Sequence, residues 1–263
     1  MGRGKATAED VRRHYDRHPF YLDGEQVLER VHLDTPLGRY VQRQGEPEIR
    51  RAVDVGCGGL AKNLSFLQAY APWAERAELF GTDLSRRSLE LAKKRHPDVH
   101  FLQAETGALP FDRDSVDFVA ATGTVHCMVD PERGIRELIR VTRPGHSIYL
   151  SVYNRRNLYF YVYRATAVLR VAKRLGLDFL FNWILVPLYG VLYRTANVIL
   201  YRRFRRIPRR EIEMDFHDKF MVPIVHFYTL DEIRGLVGDR VAVYDSEIYG
   251  GGLMIGVMLR KIA

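Results

Sequence analysis

The feature that most constrains this chain is a glycine turn set between an apolar run and a helical run. Ala52-Val53-Asp54-Val55 is short and mostly apolar, Gly56-Cys57-Gly58 follows at once, and residues 61–70 continue with helical spacing. Such a turn lets the backbone approach a nucleotide where a Cβ would clash. Glycines alone also fit a plain sharp turn. Two acids argue for more. Asp54 lies within the first run, and Asp83 closes the next one, Glu78-Leu79-Phe80-Gly81-Thr82-Asp83. A carboxylate at that strand end can accept both hydroxyls of a ribose.

The alternation continues along the chain. Helical patterns at 61–70, 86–95 and 133–141 separate β-rich runs at 99–103, 115–122 and 147–152. Strands separated by helices imply right-handed βαβ units and a parallel sheet. The tail differs: 239–245 and 253–260 are β-rich runs joined across Gly250-Gly251-Gly252, the mark of an antiparallel hairpin. Upstream, residues 7–18 read as a polar helix stopped by Pro19, and 25–43 as a second helical pattern weakened by Pro36. The expected organisation is an N-terminal helical cap (1–49), a nucleotide-binding core (50–153), a helical basic and aromatic insertion (154–222), and a helix with hairpin completing the core (223–263).

Taken in order, these segments resemble the class I methyltransferases that use S-adenosylmethionine (SAM), in particular their small-molecule group. Val53-Asp54-Val55-Gly56-Cys57-Gly58 is similar to the first motif of that family, Gly81-Thr82-Asp83-Leu84-Ser85 to the second, and the stretch from Gln103 to Phe111 to the adenine-edge segment. Ser115 to Val119, Thr124 to Pro131 and Arg140 to His146 are similar to the fourth strand, the stretch after it and the turn into strand five. The resemblance covers residues 50–152. It implies a Rossmann-like α/β fold with a seven-stranded, mostly parallel sheet, a C-terminal antiparallel hairpin and a helical insertion after strand five.

It also implies a set of SAM contacts. Asp54, Gly56, Cys57 and Gly58 would meet the methionine end, Asp83 the ribose, Leu84 the adenine face, Glu105 the adenine amino group and Thr106 the ring through its backbone; Thr122 would line the site. The sequence departs from the family where its usual third glycine falls at Leu60. The glycines also satisfy G-x-G-x-x-A, so an NAD-binding oxidoreductase is an alternative.

Methyl transfer from a sulfonium needs chiefly alignment and the exclusion of water, with a base where the acceptor is a hydroxyl. The Asn/Asp-Pro-Pro-aromatic signature of many amino-group methylators is absent; Thr122-Gly123-Thr124 stands after strand four. Candidate catalytic groups are His126 just past that strand, His226 and Tyr228 before the last helix, and Tyr15 in the N-terminal cap. Each also has a structural reading as a packing residue. His14 and His18 share a helical face without a third ligand, so no metal is expected.

The charge is uneven. Between Arg155 and Arg210 stand thirteen Lys and Arg and one acid, a net +12 in a chain whose total is +8. Tyr159, Tyr161, Tyr163, Trp183, Tyr189, Tyr193 and Tyr201 are interleaved with them. Helices are expected over 158–175 and 179–204, with Pro187 starting or kinking the second. Three readings fit: a lid over a small-molecule acceptor site, a peripheral membrane contact through 154–210, or a nucleic-acid surface, which so apolar a segment suits poorly. The functional expectation is methylation of a small hydrophobic or aromatic acceptor, with O-methyl transfer favoured. Alternatives are a membrane-surface lipid or quinone methyltransferase and an RNA methyltransferase. The two cysteines, Cys57 and Cys127, have no metal-ligand spacing and suit a reducing, cytoplasmic setting. The N-terminus shows no signal-peptide pattern, and the longest apolar run, 179–193, is interrupted and shorter than the roughly 20 residues of a spanning helix.

Overall fold

The computed structural model describes residues 6–20, 33–43, 47–174, 176, 181–201 and 207–262. The helical expectation for 25–32 and the basic run 202–206 lie outside them. The chain forms two compact units, one of residues 1–160 with 224–263, the other of residues 161–223.

The first unit is built on a seven-stranded sheet in the order β3-β2-β1-β4-β5-β7-β6. Its strands are β1 (Arg51–Val55), β2 (Glu78–Asp83), β3 (His100–Gln103), β4 (Val116–Thr122), β5 (Thr142–Tyr153), β6 (Val241–Tyr249) and β7 (Met254–Lys261). Pairing is parallel from β3 to β5, and β7 is antiparallel to both β5 and β6. The expected hairpin is therefore present. Central β1 pairs with β2 on one side and β4 on the other, so the chain reverses its direction of growth between β1 and β4. Open α/β sheets bind ligands at the carboxyl ends of the strands flanking that reversal.

Side-chain alternation fills two layers. Val53, Val55, Val119 and Ile148 pack with Leu138, Ile233 and Val257 on one face. Ala52, Phe118 and Ala120 pack with Leu64, Phe66, Tyr40 and Met258 on the other. The period of two along each buried strand sends neighbouring residues to opposite faces. The flanking helices are α1 (Ala8–Arg17), α2 (Pro36–Gln42), α3 (Lys62–Tyr70), α4 (Arg86–Arg95) and α5 (Pro131–Val141). Capping sets their starts: Thr7 and Asp10 form a capping box on α1, Ser85 caps α4, and Asp130 caps α5. Pro36 begins α2 instead of weakening a longer helix, because the first helical position needs no N–H partner.

The insertion also departs from its expected helix limits. The 158–175 pattern divides into α6 (Leu158–Ala165) and α7 (Ala167–Arg174) at Thr166. The Tyr163 carbonyl there accepts from the Arg170 guanidinium at 2.8 Å and the Thr166 hydroxyl at 3.1 Å. Such side-chain donors compete with the helical ladder. A π turn, Phe181–Leu185, leads into α8 (Val186–Tyr201), so Pro187 sits at the start of a regular helix. Helix α9 (Arg209–Phe220) follows, and α10 (Leu230–Val237) belongs to the first unit. The second unit has a core of its own, in which Phe181, Val186, Ile207, Ile212, Phe216 and Met221 are buried together.

Asp117 anchors the start of β1. Its Oδ2 accepts from the backbone N–H groups of Arg50 and Arg51, both at 2.9 Å, while Oδ1 pairs with Arg143. The carboxylate is almost completely buried. Asp117→Ala should leave two part-buried N–H donors without this acceptor and cost about 1–3 kcal/mol. Urea unfolding should show this as a lower midpoint with an unchanged slope.

Candidate functional site

The carboxyl ends of β1, β2 and β4 converge on the glycine turn. Gly56 adopts φ +65°, and a Cβ there would stand 2.1 Å from the Thr124 hydroxyl oxygen. That hydroxyl donates to the Val55 carbonyl at 3.0 Å, so the missing side chain lets the loop after β4 close onto β1. Gly58 takes φ +60° with nothing nearer than 3.7 Å to a Cβ placed there. Ala61, at φ 44°, leads into α3 in the left-handed region. Leu60, at the position where a third glycine was expected, is buried.

Asp83 ties this loop to the next. One carboxylate oxygen accepts from Gly58 N–H at 2.9 Å and the other from Ser85 N–H at 2.8 Å. Each oxygen keeps a further lone pair for a ligand hydroxyl. Burial pushes its pKa up to about 6 against the pull of those donors, so Asp83 is ionised at neutral pH. The Cys57 N–H donates to Thr82 O at 2.9 Å, and its buried thiol, which burial pushes well above the ordinary value, lies beside Gly81.

Asp54 lies deeper. Its Oδ1 accepts from Asn63 Nδ2 at 2.6 Å, and Asn63 Oδ1 accepts from the Thr122 hydroxyl at 3.1 Å. Oδ2 is buried without a partner. Burial pushes the pKa of Asp54 up to about 7. Asn63 was missed by the sequence reading. Its signal was available as a polar residue on the inward face of α3, one turn after the glycines.

Next to β2, Leu84 is half-buried and its carbonyl accepts from Gln103 Nε2 at 3.0 Å. Ala104 N–H donates to Asp83 O at 3.0 Å, which brings the Glu105–Thr106 turn beside the Asp83 strand end. Glu105 is half-buried and Thr106 buried. Helix α1 bridges two strand ends. Asp16 accepts from the Ser85 hydroxyl at 2.7 Å, and the Tyr15 hydroxyl reaches Cys127 Sγ at 3.7 Å. Phe20 comes down on the glycine turn, with Lys62 Nζ 4.1 Å from its ring centroid.

Three of the candidate catalytic groups, His126, His226 and Tyr15, meet around the 3-10 turn Val125–Cys127 after β4, and the Tyr228 ring centroid lies 6.4 Å from that of His226. His226 N–H donates to His126 O at 2.7 Å. The His126 ring lies 4.1 Å from that of Tyr153, which contacts Tyr159 and Phe227 at 5.0 and 5.7 Å. His126 Nδ1 is buried without a partner, and burial lowers its pKa to about 3, so the ring is neutral. His226 Nε2 lies 3.0 Å from Met128 O. A carbonyl only accepts, so Nε2 carries the hydrogen and the neutral ring has its lone pair on Nδ1. Burial lowers the pKa of His226 below its ordinary 6.5. Tyr228 is pushed up to about 12 by burial and stays protonated. Tyr153 and Phe227, which complete this aromatic group, were not singled out by the sequence reading.

A sheet with this strand order and a glycine turn facing an acid at the end of β2 defines the nucleotide-binding α/β class. The family described as a methyltransferase domain matches residues 53–150. Demethylmenaquinone methyltransferase of Chlorobaculum tepidum is 30% identical over 112 residues, 43% of this chain and 43% of that protein. Phthiotriol/phenolphthiotriol dimycocerosates methyltransferase of Mycobacterium leprae is 33% identical over 98 residues, 36% of this chain and 35% of that protein. The aligned segment thus spans less than half the length of each of these relatives. A SAM-dependent methyltransferase of Thermotoga maritima superposes with a TM-score of 0.55 at 16% identity, covering 95% of this chain and 99% of that one. At that identity the likeness is one of fold. Residues 53–150 match a methyltransferase domain family, relatives named as methyltransferases align with part of the chain, and the sheet has the fold of a SAM-dependent methyltransferase.

Asp54 yields a prediction for the ligand-free protein. The unfolded chain releases this proton near 3.8 and the folded chain near 7, so its contribution lowers stability as pH rises between those values and is constant above. Asp54→Asn keeps the oxygen that Asn63 uses and removes the charge. Its stability relative to wild type should climb from pH 4 to 7 by on the order of 4 kcal/mol. Urea titrations at several pH values read the difference; a difference independent of pH would contradict the assignment.

Proposed function

We propose that the chain transfers a methyl group from SAM to a small hydrophobic or aromatic acceptor, with a hydroxyl as the receiving group. The observation that carries the choice of acceptor is the aromatic cluster of His126, Tyr153, Tyr159 and Phe227 at the carboxyl end of β5, with a neutral imidazole embedded in it. The relatives support the same reading, since one is named for a quinone and another for a lipid.

The residues present suit SAM. Gly58 has no Cβ to stand between its backbone and a ligand, and Asp83 offers two lone pairs for a diol. Glu105 and Thr106 stand beside the Asp83 strand end, where an adenine edge would follow a ribose. Asp54, Asn63 and Thr122 act behind the turn by fixing β1, α3 and β4 to one another. When bound, SAM supplies an electrophilic methyl group on a sulfonium. An acceptor hydroxyl presented to that methyl group would give up its proton to a base of this chain.

His226 is the better base of the two histidines. Met128 O fixes its tautomer with the lone pair on Nδ1, whereas the low pKa of His126 makes its ring a hydrogen-bond acceptor that orients the substrate. Tyr228 stays protonated, and the Tyr15 hydroxyl reaches Cys127 in the turn after β4.

Isothermal calorimetry should detect SAM and not NAD. Asp83→Ala should weaken SAM by about 100-fold or more, as two charge-assisted hydrogen bonds are lost. NAD binding without SAM binding would refute the reading. With a hydroxylated aromatic acceptor, kcat/KM should rise with pH through the pKa of His226, below 6.5, and flatten above it. His226→Gln should remove that limb and lower the plateau by about 10²–10⁴-fold. An unchanged profile would exclude His226 as the base.

A further inference from the structure

Helix α8 is apolar on two opposite faces. Tyr189 and Gly190 pack towards α9, with Tyr189 against Phe216 and Phe220 and a Gly190 Cβ position 3.3 Å from Ile212. On the other side Leu188, Val191 and Leu192 are 59, 59 and 62% exposed. The π turn before them adds Ile184 at 61% and Trp183 at 81%. Positions 184, 188, 191 and 192 follow at three- and four-residue or adjacent spacing, so they share one face as a short apolar stripe. A helix apolar all round belongs in a buried setting, and exposed apolar surface of this extent marks a docking face.

Charge identifies the occupant. The segment from Arg155 to Arg210 carries +12. Over the whole unit, residues 161–223, twelve Lys and Arg stand against five acids, a net +7. Asp215 accepts from Tyr189 and pairs with Lys219 at 2.7 Å, Glu213 pairs with Arg209 at 2.7 Å, and Glu211 is buried. A second copy would bring positive charge against positive charge. An anionic lipid surface satisfies the apolar stripe and the surplus charge together. No helix among the described residues is long and apolar enough to cross a membrane, so the mode is to lie on one.

We propose that residues 183–192 form a membrane-interface element, with Trp183, Ile184, Leu188, Val191 and Leu192 entering the headgroup region of an anionic bilayer. The inference stands apart from the methyl-transfer reading. Its test is flotation of the full chain with vesicles of phosphatidylcholine alone or mixed with phosphatidylglycerol. Binding should require the anionic lipid and weaken as salt rises. Leu188→Glu, on an exposed position, should lower partitioning at least about tenfold, while Leu188→Ile should retain it. In a Trp73→Phe background Trp183 is the one remaining tryptophan. Its emission should shift to the blue on adding anionic vesicles. Absence of flotation at low salt, or Leu188→Glu floating like wild type, overturns the proposal. A dimer in sedimentation that Leu188→Glu dissociates, without vesicle binding, would assign the stripe to a second copy and equally overturn it. Circular dichroism checks that the variants are folded, and wild-type flotation decides the question if one is not. SAM affinity of Leu188→Glu should equal that of wild type, which separates this outcome from failure of the methyltransferase reading.

Discussion

The Asp83 carboxylate, shared between the N–H groups of Gly58 and Ser85, is the interaction on which the site depends. The two donors lie on different loops, after β1 and after β2. One part-buried anion therefore ties two strand ends together. Gly58 can aim its N–H at the carboxylate because φ +60° carries little cost without a side chain. Gly56 extends the arrangement to β4, since its missing Cβ is what allows Thr124 to close on the Val55 carbonyl. Three strand ends are brought into one rim by two glycines and one acid.

That rim is electrostatically costly. Asp54 and Asp83 are both desolvated, and each raises the pKa of its neighbourhood: Asp83 adds to the shift of Asp54, and both add to that of Cys57. His126 pays in the opposite sense, kept neutral by burial. The protein holds an unpartnered Asp54 oxygen and an unpartnered His126 nitrogen on either side of β4. Buried polar groups without partners are uncommon and collect at functional sites, where stability is given up for function.

The insertion follows a different logic. It has its own core, and two acids of α9, Glu213 and Asp215, pair with Arg209, Tyr189 and Lys219. What remains outward is basic and apolar at once. A polar surface would have been enough for solubility, so the apolar stripe calls for a separate explanation.

Local signals determined much of the fold. The runs at 78–83 and 86–95 coincide with β2 and α4, because alternation, a serine cap and punctuation by Pro97 all act within a few residues. The hairpin was legible from its glycines, and so was the glycine turn between β1 and α3. Other features needed the tertiary structure. Thr166 splits a helix because Arg170 reaches the Tyr163 carbonyl, and Pro36 starts one where the pattern suggested continuity. Asn63 joins Asp54 to Thr122 only when α3 folds over the reversal point between β1 and β4. Tyr153 and Phe227 become partners of His126 because the chain returns from the insertion beside β5. The glycine turn that the sequence marked as a cofactor loop is thus a turn whose conformation local chemistry dictates. Its hold on Asp83, Thr124 and the strands around them is decided by packing between residues far apart in the chain, which no local pattern encodes.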